Sequence, residues 1–305
     1  MTISESHDEK SSYLDWSRAG RSGAGWYVIG LVVSFFIFMV LSGIGAFPVT
    51  VLDPDYKDSL IESDLALFLA FPIAFVGIPY VVHVVHGRPW WSVAMARLHF
   101  DRFGLAFGFI THTILGVVGV AIAHLVGVID VDLESVDATL WLELVVIAGV
   151  GIFIQAGAEE IFFRGYLTQA VRRFTAQPAV FLLIPAMLFA APHLTNLTQF
   201  DSSPYVLLPY LVDGAAYGWV AYRTGSLWMS LGIHWSNNLS NVVLVGPRGD
   251  VLDSVAPLQF DIPNSIAELT VISVVTSLAM IAIVEVALRR TGRDAPADGI
   301  GPSAS

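Results

Sequence analysis

The feature that most constrains this chain is a series of eight long apolar stretches. Each has about 20 residues or more, the length that an α-helix needs to cross the hydrocarbon core of a bilayer. The stretches are 26–48, 65–86, 103–128, 142–172, 178–197, 204–222, 226–246 and 266–288. Only 13% of the 305 residues are charged, too few to cover a soluble protein of this size. We therefore predict an all-α fold, a polytopic membrane helix bundle with about eight transmembrane helices.

The basic residues predict how this bundle is oriented. Eight spans place both termini on one side, and that side receives every lysine and arginine of the 15 in the chain except Lys57 and Arg248. The positive-inside rule makes that side cytoplasmic. We expect an integral protein of the plasma membrane, in contact with lipid, with cytoplasmic N- and C-termini. The predicted divisions are a polar N-terminal tail (1–25), one membrane domain (26–290) and a disordered C-terminal tail (291–305).

Charge and cysteine content exclude several classes of protein. The formal net charge is −11, whereas a nucleic-acid-binding surface is usually basic. No nucleic-acid partner is expected. The chain has no cysteine, which excludes a disulfide framework, a cysteine nucleophile and thiolate metal ligation.

The first polar cluster inside a predicted span contains two adjacent glutamates. Glu160 and Arg164 are four residues apart, with the acid first, the favoured orientation for an ion pair on a helix. Glu159 points about 100° away and is less directly neutralised. This carboxylate could act as a general base or acid. A purely structural alternative is that both acids pair with Arg164 and only hold helices together.

Two further clusters carry histidines in later spans. His193 follows Pro192, which interrupts the helical ladder, whereas His234 and Asn238 share one helix face. We estimate the depth of each residue from the cytoplasmic end of its own predicted helix. This depth is about 21 Å for Glu159, about 22 Å for His193 and about 16 Å for His234. Ionisable groups at such depth are costly and are retained mainly where they pair or act. We therefore expect the three clusters to meet in one site.

These motifs resemble those of the CPBP family of intramembrane proteases, which includes type II CAAX prenyl endopeptidases and bacterial Abi or bacteriocin-immunity proteins. The family pattern E-E-x-x-x-R appears as Glu159-Glu160-x-x-x-Arg164, and F-x-x-x-H as Phe189-x-x-x-His193. The third motif, H-x-x-x-N, appears as His234-x-x-x-Asn238. The resemblance covers about residues 142–246, the expected catalytic core.

The resemblance implies an intramembrane endopeptidase that cleaves membrane-tethered or hydrophobic protein tails, including lipidated ones. Glu159 would activate the attacking water and His193 would help to hold it. His234 and Asn238 would stabilise the oxyanion, while Glu160 and Arg164 would organise the site. No cofactor is certain.

Two alternatives remain at the level of sequence. Glu159, His193 and His234 also match a His2Glu set of zinc ligands, which would make the protein a metalloendopeptidase. The function itself could instead be that of a non-catalytic membrane partner or immunity protein of the same fold, or of a transporter that binds an ion or proton near the midplane.

Overall fold

The computed structural model describes residues 12–41, 44, 51, 68–194, 207–248, 256–261 and 266–292. These residues are mostly helical. The long helices are α1 (Ala24–Phe36, continued by a π turn Ile37–Leu41), α2 (Pro72–His86), α3 (Arg102–Leu125), α4 (Ala138–Arg172), α5 (Pro178–Ala190), α6 (Leu207–Thr224), α7 (Trp228–Val243) and α8 (Ile266–Thr291).

Each predicted span coincides with one of these helices within the described residues. Three of them are long and apolar enough to cross a membrane: Arg102–Leu125, Ala138–Arg172 and Thr270–Thr291. Shorter apolar helices cover Ala24–Val40, Pro72–His86 and Pro178–Leu194. The helical membrane class is therefore supported, whereas the count of eight crossings stays a prediction. Parts of four predicted spans, at 42–43 and 45–48, 65–67, 195–197 and 204–206, lie outside the described residues.

Local sequence signals set the ends of the helices that matter for the site. The Asp101 carboxylate accepts a hydrogen bond from the Gly104 N–H at 2.9 Å and caps α3. The Asp137 carboxylate accepts from two backbone N–H groups and caps α4. Such caps satisfy donors that a helix start otherwise leaves unpaired. Helix α2 ends at Gly87, whose φ of 65° suits glycine.

Reciprocal glycines hold α3 against α7. A Cβ atom on Gly108 would lie 2.3 Å from the Met229 carbonyl oxygen, and one on Gly232 would lie 2.1 Å from the Leu105 carbonyl oxygen. No side chain larger than hydrogen fits at either position without displacing a helix. Small residues of this kind let transmembrane helices approach closely. The contact fixes the position of α7, which carries two predicted site residues.

A small sheet at one end of the bundle corrects the all-α prediction. Strand β1 (Val131–Leu133) pairs antiparallel with β3 (Leu258–Phe260), and β3 pairs parallel with β2 (Val245–Pro247). Beside the sheet, Arg248 forms ion pairs with three carboxylates, and these hydrogen bonds raise its pKa. The partners are Glu134 at 2.7 Å, Asp132 at 2.8 Å and Asp261 at 3.2 Å.

At the opposite end, part of the predicted polar tail is packed into the protein. Tyr13–Arg18 forms a 3-10 helix in which Tyr13, Leu14 and Trp16 are buried. The Tyr13 N–H donates to the Gly225 carbonyl oxygen at 2.9 Å. The prediction of a tail over 1–25 is therefore corrected from residue 12 onward, because three large side chains find a core there. Residues 1–11 and 293–305, which include most of the predicted C-terminal tail, lie outside the described residues.

Candidate active site

The two adjacent glutamates lie where α4 changes its geometry. The regular α-helix runs over Ala138–Glu159, and a π-helical segment follows over Glu160–Leu167. Segments of π-helix are rare and occur often at functional sites, because they depart from the regular hydrogen-bond ladder. Glu159 and Glu160 therefore lie at a local irregularity in the longest apolar helix of the described chain.

Glu160 and Arg164 form a buried ion pair within this segment. Their closest atoms, Glu160 Oε1 and Arg164 Nη1, are 3.2 Å apart, and each side chain is at most 2% exposed. The Arg164 guanidinium also lies over the Phe189 ring, 4.0 Å from its centroid, and 5.3 Å from that of Tyr217. The charge of Arg164 is therefore balanced by one carboxylate and two aromatic faces.

His234 lies between the two glutamates. Its Nδ1 is 3.0 Å from Glu160 Oε1, and its Nε2 is 3.3 Å from Glu159 Oε2. The imidazole is 4% exposed, whereas the Glu159 side chain is 12% exposed. Glu159 is thus the more accessible of the two acids, and it has no arginine partner among the ion pairs of the described residues.

His193 approaches the same site from the end of α5. Its Nδ1 lies 3.0 Å from the Phe189 carbonyl oxygen, and its ring stacks on Tyr210 with centroids 3.8 Å apart. The Phe189 ring contacts both histidines, at 5.2 Å from His193 and 5.8 Å from His234. His193 also interacts electrostatically with Glu159. The Phe189 ring thus lies against both imidazoles, one from the end of α5 and one from α7.

Asn238 lies one turn beyond His234 on α7 and faces α4. Its amide nitrogen donates to Gln155 Oε1 at 3.0 Å, and its oxygen accepts from the Asn237 amide at 3.1 Å. Gln155, four residues before Glu159, was not singled out from the sequence. Its position on the face of Glu159 was the available signal. One N–H of the Asn238 amide is engaged by Gln155, and an amide nitrogen carries two.

Two residues of α6 complete the surroundings. Tyr217 lies against His234 with ring centroids 5.3 Å apart. Asp213, one turn earlier, was unexplained by the sequence. Its Oδ1 accepts hydrogen bonds from Ser273 at 3.0 Å and Ser277 at 2.9 Å, so it ties α6 to α8. The aromatic partners could not be found from the motifs, because tyrosines in a membrane helix carry no spacing signal of their own.

The zinc set Glu159, His193 and His234 that the sequence left open stays a hypothesis. Both ring nitrogens of His234 contact carboxylates, and Nδ1 of His193 contacts a backbone carbonyl. Among the described residues, no group of three or more His, Asp or Glu side chains is arranged to hold a metal ion. The mechanism proposed below uses these side chains, and the zinc alternative is tested there with a chelator.

An apolar cavity of about 120 Å³ reaches the site from the end of the bundle where the N-terminal segment packs. Glu160 lies in its wall, and the other walls include Phe75, Trp91, Trp228 and Leu231. Such a space can accept an apolar group next to the polar cluster.

Comparison with known proteins supports the motif reading. Residues 139–240 match the family described as "Type II CAAX prenyl endopeptidase Rce1-like". The "Uncharacterized protein YyaK" of Bacillus subtilis (strain 168) is 27% identical over 240 residues, which cover 77% of this chain and 78% of that protein. No solved structure matches the chain. All three motifs lie within the segment that matches the Rce1-like type II CAAX prenyl endopeptidase family, which confirms the resemblance predicted from the sequence.

Proposed function

We propose that this protein is an intramembrane endopeptidase in which Glu159 activates water to hydrolyse peptide bonds. The family match supports a membrane protease at the level of the family. The observation that carries the finer proposal is the position of His234, between Glu159 and the Glu160–Arg164 pair. The proposed substrates are membrane-tethered or hydrophobic protein tails, including lipidated ones.

We infer from its contacts which ring nitrogens of His234 carry a hydrogen. Glu160 is paired with Arg164 and accepts from His234, so Nδ1 of the ring carries a hydrogen. Nε2 then faces Glu159 across 3.3 Å, close enough for a proton to pass between the two groups in the proposed reaction. A carboxylate and an imidazole that exchange a proton form an acid–base pair suited to catalysis.

The contact of His193 gives it a complementary role. A backbone carbonyl can only accept, so the Nδ1 of His193 donates to Phe189. In the neutral ring the Nε2 is then an acceptor, able to hold one hydrogen of a water molecule. Such a water would lie between His193 and Glu159, and the second proton would be available to the glutamate.

The proposed reaction follows from these roles. Glu159 takes a proton from the water as the oxygen attacks the substrate carbonyl, and the C=O bond becomes a C–O⁻ oxyanion. His234 Nε2–H and the remaining N–H of Asn238 then face the oxyanion, where one donor is worth roughly 3 kcal/mol. Collapse of the intermediate breaks the C–N bond, and Glu159 passes its proton to the leaving amine.

The cellular location of the protein and its orientation in the membrane stay predictions from the sequence. We propose a plasma-membrane location with cytoplasmic termini. The apolar cavity at Glu160 would receive a hydrophobic part of the substrate next to the reacting bond.

Cleavage of tethered reporter peptides by the purified chain in liposomes tests this proposal. Glu159→Gln should abolish cleavage, because the amide cannot accept the proton. Glu143→Gln is the matched control, since Glu143 is exposed on the same helix and should retain the wild-type rate. Cleavage by Glu159→Gln at the wild-type rate would refute the role of Glu159.

Three further arms of this assay separate the alternatives. Reporter peptides with and without a lipid anchor test the substrate class. Loss of activity in a chelator, with recovery on zinc addition, would overturn the metal-free mechanism. Ion flux without cleavage would indicate a transporter, and neither activity would favour a non-catalytic partner.

A further inference from the structure

A glutamine on α4 contacts the asparagine of the proposed oxyanion site. The Oε1 of Gln155 accepts a hydrogen bond from Asn238 Nδ2 at 3.0 Å. Gln155 lies four residues before Glu159, on the same face of the helix. Asn238 and Glu159 are both half-buried, whereas His234 is buried. The hydrogen bond therefore lies beside the more accessible groups of the site.

Two side-chain contacts, one helical turn apart, join α4 to α7. Glu159 Oε2 lies 3.3 Å from His234 Nε2, and Gln155 Oε1 lies 3.0 Å from Asn238 Nδ2. The residue number falls by four on α4 while it rises by four on α7, so the two helices run antiparallel here. Four residues of helix rise about 6 Å. A substrate oxygen midway between the two levels would be about 3 Å from each along the axis.

Two neighbours fix the orientation of the Asn238 amide. Asn237 Nδ2 donates to Asn238 Oδ1 at 3.1 Å, and Asn238 Nδ2 donates to Gln155. A rotated amide would bring two donors together at Asn237 and two acceptors together at Gln155. Only the bond to Gln155 comes from another helix, so it holds Asn238 relative to Glu159. The amide nitrogen carries a second N–H, which stays available to a substrate.

We propose that Gln155 is a positioning residue, which holds the Asn238 amide so that its second N–H points at the oxyanion. This inference rests on the proposed function. Gln155 touches no reacting atom and acts through Asn238. Donors stabilise a transition state best when they are already oriented before the reaction. The helix that carries the base Glu159 thereby also fixes a donor for the charge that the attack creates.

The first test removes the acceptor and keeps the length of the side chain. Gln155→Met should lower kcat about tenfold and leave KM within about twofold, because a loosened donor mainly weakens the transition state. Trp141→Phe is the matched control. It removes the hydrogen bond from Trp141 Nε1 to the Val243 carbonyl oxygen at 2.9 Å, which joins the same two helices. Trp141 lies about 21 Å along α4 from Gln155, so kcat should stay within about twofold of wild type. An unchanged kcat in Gln155→Met, or equal losses in the two variants, would overturn the proposal.

A double-variant cycle separates positioning from a general effect on folding. Asn238→Leu removes the donor and should lower kcat about hundredfold. Adding Gln155→Met to that variant should change kcat by less than about twofold, because the residue through which it acts is gone. A further loss of about tenfold in the double variant would overturn the proposal, since Gln155 would then act by another route.

A second measurement does not depend on activity. The chain has only five asparagines, so their labelled side-chain amides can be followed by NMR in detergent micelles. The signal of Asn238 is the one lost in Asn238→Leu. Gln155→Met should shift this signal, and Trp141→Phe should leave it in place. An unchanged signal in Gln155→Met would overturn the contact and the proposal with it. If the signal shifts but the wild-type chain cleaves no tethered peptide, the contact stands and the proposed function fails, together with the role of Gln155 in it.

Discussion

Replacing Arg164 by methionine tests how the buried charges of the site are balanced. The Glu160 side chain is 1% exposed and has Arg164 as its ion-pair partner within α4. The variant removes that cation and leaves a buried carboxylate whose remaining partners are His234 and Ser230. We expect a loss of about 3–5 kcal/mol in the free energy of unfolding, the range for a buried pair broken on one side.

The opposite change should cost less. Glu160→Gln leaves Arg164 as a buried cation, but the guanidinium still lies over Phe189 at 4.0 Å and Tyr217 at 5.3 Å. Such contacts contribute about 2 kcal/mol when desolvated. The structure therefore predicts an asymmetry between the two single variants. It also predicts that the double variant, which has no unpaired charge, recovers much of the stability lost in Arg164→Met.

Unfolding in mixed micelles of mild and denaturing detergent measures these differences. The Arg223–Glu285 pair is a matched control, because its side chains are 15% and 19% exposed. Breaking it with Arg223→Met should cost only about 1 kcal/mol. Two results would refute this account of the pair. One is a double variant of Glu160 and Arg164 whose loss of unfolding free energy equals the sum of the single losses. The other is an Arg164→Met variant that loses no more unfolding free energy than Arg223→Met.

Two smaller changes test the packing of the helices that carry the site, with the same titration as the measurement. Gly232→Ala should lower the free energy of unfolding by about 1–3 kcal/mol, because its Cβ would lie 2.1 Å from the Leu105 carbonyl oxygen. Gly116→Ala is the control, since its Cβ would meet open space and should leave the free energy of unfolding unchanged. Asp213→Asn keeps an acceptor for the two serines of α8 and should lose less than about 1 kcal/mol, whereas Asp213→Leu should lose more. An equal response within either set would contradict the described contacts.

The positions of the helices follow from the sequence because hydrophobic length is a local property. All eight predicted stretches coincide with helices in the described residues. The small sheet could not be predicted in the same way, since its strands are only three residues long and lie in acidic loops. Its pairing depends on Arg248, which contacts acids more than a hundred residues earlier in the chain.

The burial of the N-terminal segment could not be predicted from the sequence for a similar reason. Residues 1–25 read as polar by composition, yet Tyr13, Leu14 and Trp16 are each at most 5% exposed. Their partners come from distant helices, including Phe181, Leu182 and Ala221. Nothing in the segment itself shows that such a core is available, so only the folded chain identifies the contact.

The two glutamates show what residue spacing predicts and what it does not predict. Residues that are adjacent on a helix point about 100° apart, and on that basis the sequence separates an arginine-paired Glu160 from an available Glu159. In the structure the two carboxylates are joined again, because one imidazole has polar atoms on both sides of its ring. His234 contacts Glu160 through Nδ1 at 3.0 Å and Glu159 through Nε2 at 3.3 Å.

His234 contacts both acids, but the two acids have different roles in the proposed mechanism. Glu160 is held by Arg164 and contacts Nδ1 of His234, so the proposed mechanism exchanges a proton on the Nε2 side of the ring, with Glu159. The glutamine in His234→Gln carries both of its N–H donors on one nitrogen, so it does not reproduce donors on two sides of a ring, and its amide does not exchange a proton as imidazole does. We therefore expect His234→Gln to abolish cleavage of the tethered peptides while Arg164 still pairs with Glu160. Retained cleavage in that variant would show that Glu159 works without the imidazole.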